Sequence, residues 1–239
     1  MTTTDDILAL AAHATPTEHA AADLIAFAAA VTGGMNTDVV RALRALRPGS
    51  LPDSPAWRAW LLATAAMAAT SAATGGADMS AFAGRQAADP DGQAAAAADQ
   101  TVRFAVCAAA SALGDDCSAA VAAGTRAAAL IQAGLAEPGT DEQTGWSIPA
   151  VSAVIGAGVA AGIMLGLPEP RLRHALGICA TQATGLRAAA GTDAGPLQAG
   201  KAAFNAVEAA QLANLGFTSS REPLDGRRGL FALFRTPAA

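Results

Sequence analysis

The stretch Ile148–Leu167, IPAVSAVIGAGVAAGIMLGL, contains no charged residue. Glycines recur at every fourth position in its second half, at Gly158, Gly162 and Gly166. This spacing puts small residues on one helix face and lets a neighbouring helix approach closely. The aliphatic content is diluted by alanine, glycine and serine, which disfavours a membrane span. We therefore predict a buried core helix over Pro149–Leu165, surrounded by protein and not by lipid.

The composition of the whole chain favours helices. Hydrophobic residues make up 52% and charged residues 15%, yet aromatic residues reach only 4% and tyrosine is absent. Alanine accounts for much of the hydrophobic content. Alanine is the best helix former because it loses no side-chain entropy in a helix. The composition therefore predicts an all-α, multi-helix bundle, which we assign to a single helical domain over residues 1–239.

Capping residues and glycine or proline breaks divide the chain further. Long loops are expected at about 75–93 and 137–147, a Gly/Pro-containing loop at Gly191–Gly200, and a helix end at Gly33-Gly34. The other helices are predicted at Asp5–Ala12, Ala20–Val31, Asp38–Leu46, Ala56–Thr70, Ala94–Leu113, Ser118–Leu135, Glu169–Ala183 and Lys201–Leu215.

The charged residues and cysteines exclude several classes of partner. The net charge is −5 and no basic patch is visible, so a nucleic-acid partner is not expected. Three cysteines without a C-x-x-C pair predict reduced, buried thiols in a cytoplasmic protein, and no signal peptide opens the chain. The three histidines show no metal-ligand spacing, so no metal site is predicted.

Several ordered motifs in the last third of the chain carry a resemblance to a known family. They are LGLPEPRLRHALGICATQATGLR at Leu165–Arg187, the pairs Gly191-Thr192 and Pro196-Leu197, Gly200–Ala203 with Asn205, LGFT at Leu215–Thr218, and LDGRRGL at Leu224–Leu230. In this order they resemble the helical domain of the MmgE/PrpD family. The resemblance implies a large helical domain, a second lid-like domain and an acidic substrate bound between them. It also implies chemistry that moves a proton next to a carboxylate without a metal or another cofactor.

The chain departs from the family pattern at the positions that carry the chemistry. The family's Asp-Asp-Thr-His motif is expected between Ser71 and Gln93, where no histidine stands. The family's other two histidines and its lysine correspond to Ser147, Gln198 and Gly195. The lid-like domain would begin after Phe234, so none is expected within residues 1–239. We therefore expect no 2-methylcitrate dehydratase or cis-aconitate decarboxylase activity from this chain alone.

The loop Gly191–Gln198 is the candidate site. A helix beginning near Lys201, the only lysine, would offer backbone N–H groups and an ammonium to a carboxylate. Burial would raise the pKa of Asp193 and make it a base, so Asp193 and Lys201 are the candidate catalytic residues. The candidate substrate-binding residues are Thr192, Gln198, Trp146 and Ser147. The alternative is a structural turn in which Asp193 caps a helix.

Three functional hypotheses follow from the residues and the resemblance. The first is a diverged lyase or isomerase that acts on a carboxylate-bearing metabolite, as in specialised metabolism. The second is a non-catalytic binding or assembly subunit that needs a partner chain, and the third is a pseudoenzyme. A helical half without its lid exposes apolar surface, so a homodimer or a lid-like partner subunit is expected.

Overall fold

The computed structural model describes residues 2–46, 54–73, 100–135 and 145–234. All regular elements in these ranges are helical, which confirms the predicted all-α fold. The α-helices are α1 (Thr3–Ala12), α2 (Glu18–Gly34), α3 (Asp38–Ala45), α4 (Pro55–Ala73), α5 (Gln100–Ser111), α6 (Ser118–Leu135), α7 (Ile148–Met164), α8 (Glu169–Thr181) and α9 (Ala194–Asn214). Two short 3₁₀ helices cover Arg187–Ala189 and Leu230–Leu233. The predicted loop at 75–93 and residues 137–144 of the predicted loop at 137–147 lie outside the described residues.

Helix α7 is the centre of the bundle, as predicted. Every residue from Ala150 to Gly162 is buried, and α5, α6, α8 and α9 all pack against it. Ser147 precedes the helix and its hydroxyl accepts a hydrogen bond from the N–H of Ala150 at 3.4 Å, which caps the first turn. Across the described ranges, no helix is long and apolar enough to cross a membrane.

The glycines of α7 permit close helix contacts. A Cβ atom at Gly158 would lie 2.5 Å from Sγ of Cys179 on α8. A Cβ atom at Gly156 would lie 2.6 Å from the carbonyl oxygen of Gly124 on α6. Both distances are far below van der Waals contact. The small residues therefore set how near α6 and α8 come to the central helix.

The end of α2 differs from the sequence prediction. Gly33 and Gly34 were expected to stop the helix, but both are helical and Met35 is the C-cap. A Cβ atom at Gly34 would overlap the backbone of Ala65 on α4, whereas one at Gly33 would meet only the Cβ of Ala69 at 3.6 Å. Gly34 thus serves helix packing and not chain termination.

The start of α9 is also corrected by the structure. The helix was predicted to begin near Lys201, after a loop that ended at Gly200, but it begins at Ala194. Pro196 lies in the first turn, where its missing N–H removes no helical hydrogen bond. Lys201 therefore lies two turns inside α9, and the predicted effect of a helix N-terminus at this residue does not apply.

The cysteines and the C-terminal segment complete the described core. Cys107, Cys117 and Cys179 are all buried free thiols, as predicted, and burial raises the pKa of Cys179 to about 12. Asp225 accepts hydrogen bonds from the N–H groups of Thr3 and Thr4 at 3.2 and 3.1 Å. The carboxylate of Asp225 therefore binds N–H groups at the start of α1 that have no partner within the helix. These bonds fix the segment around Asp225 against α1.

Candidate functional site

A pocket of about 190 Å³ lies where α9 meets α7 and the segment that follows α8. Its polar lining consists of Gln182, Thr184, Gln198, Lys201 and Asn205. Its apolar lining comes mainly from Ala150, Val154, Leu197 and Ala202. A cavity needs only about 10–15 Å³ of such volume to hold one water molecule, so the pocket has room for a small metabolite.

One stripe of α9 provides most of the polar groups. Gln198, Lys201 and Asn205 are separated by three and four residues, a spacing that puts side chains on one helix face. The stripe begins at Ala194, which also lines the pocket. The early start of α9 is therefore what aligns Gln198 with Lys201, and a loop ending at Gly200 would not have done so.

Gln198 of α9 binds the segment Gly185–Leu186, which forms the wall of the pocket opposite α9. Its Oε1 accepts a hydrogen bond from the N–H of Leu186 at 2.7 Å. The preceding residue, Gly185, lies close to both Gln198 and Ala150 of α7. A Cβ atom at Gly185 would lie 2.8 Å from Oε1 of Gln198 and would overlap the side chain of Ala150. Gly185 and Gln198 together keep this segment tightly against α9 and α7.

Trp146 and Ser147, which were predicted to bind the substrate, lie next to this wall on the side away from the pocket. The N–H of Ser147 donates to the carbonyl oxygen of Gly185 at 3.0 Å, and the N–H of Arg187 donates to that of Gly145 at 3.0 Å. Trp146 is 38% exposed, and its ring packs edge-on against Phe234 with centroids 5.8 Å apart. Neither Trp146 nor Ser147 lines the pocket, and the Ser147 hydroxyl is engaged as the cap of α7.

Lys201 is the cation of the pocket lining within the described residues. Its Nζ lies 4.1 Å from the ring centroid of Phe204 and 5.0 Å from that of Trp60. The two rings pack edge to face at 5.4 Å. Their π-faces attract the ammonium and favour a position of the positive charge beside these rings.

Thr192 and Asp193 lie at the start of α9, outside the pocket lining. The hydroxyl of Thr192 donates to the carbonyl oxygen of Ala189 at 2.7 Å and accepts from the N–H of Ala194 at 3.2 Å. Asp193 is the N-cap residue, yet its exposed side chain makes no capping hydrogen bond. The predicted burial of Asp193 is therefore not observed, and its carboxylate is exposed at the start of α9.

Sequence reasoning did not select Gln182, Thr184 or Asn205 as site residues, although all three line the pocket. Asn205 is only 8% exposed, and its Nδ2 donates to the carbonyl oxygen of Gln182 at 3.5 Å. The available signal was the four-residue step from Lys201 to Asn205, which puts both residues on one face of the predicted helix Lys201–Leu215. Gln182 and Thr184 follow α8, and only the tertiary structure brings them to this face.

The pocket lining contains no carboxylate, imidazole or thiol among the described residues. Over the same parts of the chain, no group of three or more histidine, cysteine, aspartate or glutamate residues is placed to hold a metal ion. The described lining therefore combines one ammonium, a hydroxyl, three carboxamides and an apolar wall. Such a set can bind and orient an anion by charge and hydrogen bonds.

Comparison with known proteins agrees with the resemblance seen in the motifs. The model of the MmgE/PrpD N-terminal domain family matches residues 19–238. Human (Homo sapiens) cis-aconitate decarboxylase is 37% identical to this chain over 86 residues. That match covers 36% of this chain and 18% of the human protein. Because the family model covers nearly the whole chain, this protein belongs to the MmgE/PrpD family.

Proposed function

We propose that this chain binds a small carboxylate in the α9 pocket and is a lyase or isomerase of the MmgE/PrpD type. The observation that carries the proposal is the position of Lys201, the only lysine of the chain, in the lining of the pocket. Family membership supports the reaction class, and the name of the human relative supports a carboxylate as ligand.

The lining supports binding of an anion for a physical reason. Lys201 is exposed at the edge of the pocket and supplies charge, while the buried residues Ala150 and Val154 of α7 supply an apolar wall. A charge-assisted hydrogen bond is roughly twice as strong as one between neutral groups. An ammonium beside an apolar wall therefore favours a ligand with one carboxylate and a short carbon skeleton.

A second candidate function is a binding or assembly subunit that needs a partner chain. The observation that favours it is the lack of a general base among the described residues of the lining. Removing a proton next to a carboxylate needs such a base within hydrogen-bond reach. In this second function a homodimer mate or a lid-like partner subunit would complete the site. Asp193 stays the proposed base for the first function, although its side chain is exposed.

Binding is tested by isothermal titration calorimetry with propionate, using the full chain. Replacing Lys201→Gln removes the positive charge and should weaken propionate binding about tenfold to a hundredfold, the usual range for a charge-assisted hydrogen bond. Arg126→Gln is the matched control, since Arg126 is exposed on α6 and outside the pocket lining. Equal affinity of both variants for propionate would refute the proposed role of Lys201.

Catalysis is tested by proton exchange. A panel of small carboxylates is incubated with the chain in D₂O, and deuterium entering the carbon next to the carboxylate is followed by ¹H NMR. Exchange that depends on Lys201 supports the lyase or isomerase. Saturable binding without exchange supports the binding subunit, and absence of binding contradicts both functions.

A further inference from the structure

Trp60 of α4 lies beside Lys201, although it stands outside the pocket lining. Helices α4 and α9 come close together at Gly200, the residue that precedes Lys201. A Cβ atom at Gly200 would lie 2.6 Å from Cδ1 of Trp60 and 2.8 Å from its carbonyl oxygen. Because Gly200 has no side chain, the indole of Trp60 can lie next to Lys201.

Packing alone does not explain an indole at this position. The Nε1 atom of Trp60 is buried and, within the described residues, has no hydrogen-bond partner. A buried N–H group without a partner costs free energy, and a phenylalanine would fill a helix contact without burying one. Tryptophan, however, has the ring face that attracts a cation most strongly. The centroid of the Trp60 ring lies 5.0 Å from Nζ of Lys201, so the cation accounts for the indole.

Phe204 contributes a second ring from α9 itself. It stands three residues after Lys201 on the same helix face, and its ring centroid lies 4.1 Å from Nζ of Lys201. The rings of Trp60 and Phe204 pack edge to face, with centroids 5.4 Å apart. In the same conformation the Lys201 side chain lines the pocket. The position beside the rings is therefore also a position at the pocket.

We infer that Trp60 and Phe204 are positioning residues, which hold the Lys201 ammonium at the edge of the pocket before an anionic ligand arrives. This inference rests on the proposed function, in which Lys201 binds the carboxylate. A lysine side chain has many rotamers, and the apparent Kd rises in inverse proportion to the population of the rotamer that binds. Attraction to the two rings raises that population in the free chain. Trp60 therefore increases affinity by acting on Lys201 and without touching the ligand.

The binding test is a calorimetric titration of the full chain with propionate. Trp60→Leu and Phe204→Leu should each weaken binding about twofold to fivefold, the range for one exposed cation–π contact. Trp60→Phe keeps a ring face and should bind propionate more tightly than Trp60→Leu. Phe104→Leu is the matched control, because it removes a ring that packs against Phe27 at 5.9 Å, outside the pocket lining. The control should bind propionate as the unaltered chain does.

A spectroscopic test follows Lys201 directly. The chain contains one lysine, so ¹³C-labelled lysine gives a single Cε–Hε signal in NMR spectra. Ring currents of Trp60 and Phe204 should shift this signal upfield of its position in the urea-unfolded chain. Trp60→Leu and Phe204→Leu should each move it back toward that position, whereas Phe104→Leu should not. Saturating propionate should leave the signal upfield, because the ligand and the rings use the same position of the ammonium.

The outcomes separate this inference from the proposed function. If Lys201→Gln weakens propionate binding but folded ring variants bind as the unaltered chain does, the function stands and the inference is wrong. Tighter binding by the ring variants would equally refute it, because the rings would then draw the ammonium away from the ligand. A lysine signal at its unfolded position, with or without propionate, overturns the inference on the unaltered chain even if the variants unfold. If propionate does not bind at all, the proposed function fails and this inference fails with it.

Discussion

Gly33 and Gly34 offer two neighbouring substitutions of the same kind with opposite expected effects. Both residues are in the last turn of α2, which packs against α4. An alanine Cβ at Gly34 would lie 2.5 Å from the carbonyl carbon of Ala65 and 3.1 Å from its Cα, and still closer to the carbonyl oxygen. A Cβ at Gly33 would meet only the Cβ of Ala69, at an ordinary 3.6 Å.

The magnitude follows from these distances. Carbon atoms pack at about 3.5–4.0 Å, so the Gly34→Ala Cβ is too close to the Ala65 backbone by roughly 1 Å. A backbone carbonyl cannot rotate away as a side chain can, so α2 and α4 must separate. Overpacking of this kind costs typically 1–3 kcal/mol, and we expect about 3 kcal/mol here. Gly33→Ala should instead stabilise the chain by about 0.5 kcal/mol, because alanine loses less backbone entropy in a helix.

Urea and thermal unfolding, followed by circular dichroism at about 222 nm, measure the difference. A chain of this size loses roughly 2–4 °C of Tm per kcal/mol, so Gly34→Ala should melt about 6–12 °C below the unaltered chain. Gly33→Ala should melt at or slightly above it. If the two variants melt together within a degree, α2 and α4 do not make the backbone contact described, and the explanation of Gly34 is wrong.

Three further predictions concern the pocket, the pH dependence and the activity. Gly185→Ala should displace the wall held by Gln198 and weaken propionate binding at least about tenfold in calorimetry, whereas Gly145→Ala, whose Cβ meets no atom within 4 Å, should not. Burial raises the pKa of Asp225, but hydrogen bonds from Thr4 and Thr3 outweigh it and lower the pKa overall. Asp225→Asn should therefore reduce the free energy of unfolding above about pH 4, and urea titrations should show this difference vanishing as the pH falls through the folded pKa. The chain alone should turn over neither 2-methylcitrate nor cis-aconitate in an assay that follows product by NMR. Product formed at an ordinary enzymatic rate would show that Ser147, Gln198 and Gly195 do not correspond to the family's histidines and lysine.

Much of the fold could be predicted from local sequence signals. The uncharged stretch at Ile148–Leu167 indicated a buried helix, and α7 is one. The boundaries of α6 were predicted to the residue, because Ser118 and Leu135 stand where the apolar pattern starts and stops. Such signals are local: helix propensity, caps and periodicity act within a few residues of each other.

The site could be predicted only in part. Lys201 and Gln198 were selected from the sequence and line the pocket, whereas Thr192 and Asp193 do not. The error came from Gly195 and Pro196, which are typical of a loop but here lie in the first turn of α9. Proline is compatible with a first turn, and packing of α9 against α4 and α7 outweighs the weak propensity of glycine.

The sequence by itself determined an all-α fold and membership of the MmgE/PrpD family, because composition, periodicity and ordered motifs are properties of the linear chain. Only the tertiary structure decided which polar groups share a pocket. Gln182 and Asn205 meet because α8 and α9 pack together, and Gln198 reaches Leu186 because Gly185 lets the wall approach. These contacts depend on distances between helices, which side-chain volumes and the absence of a Cβ set in three dimensions and no local pattern encodes.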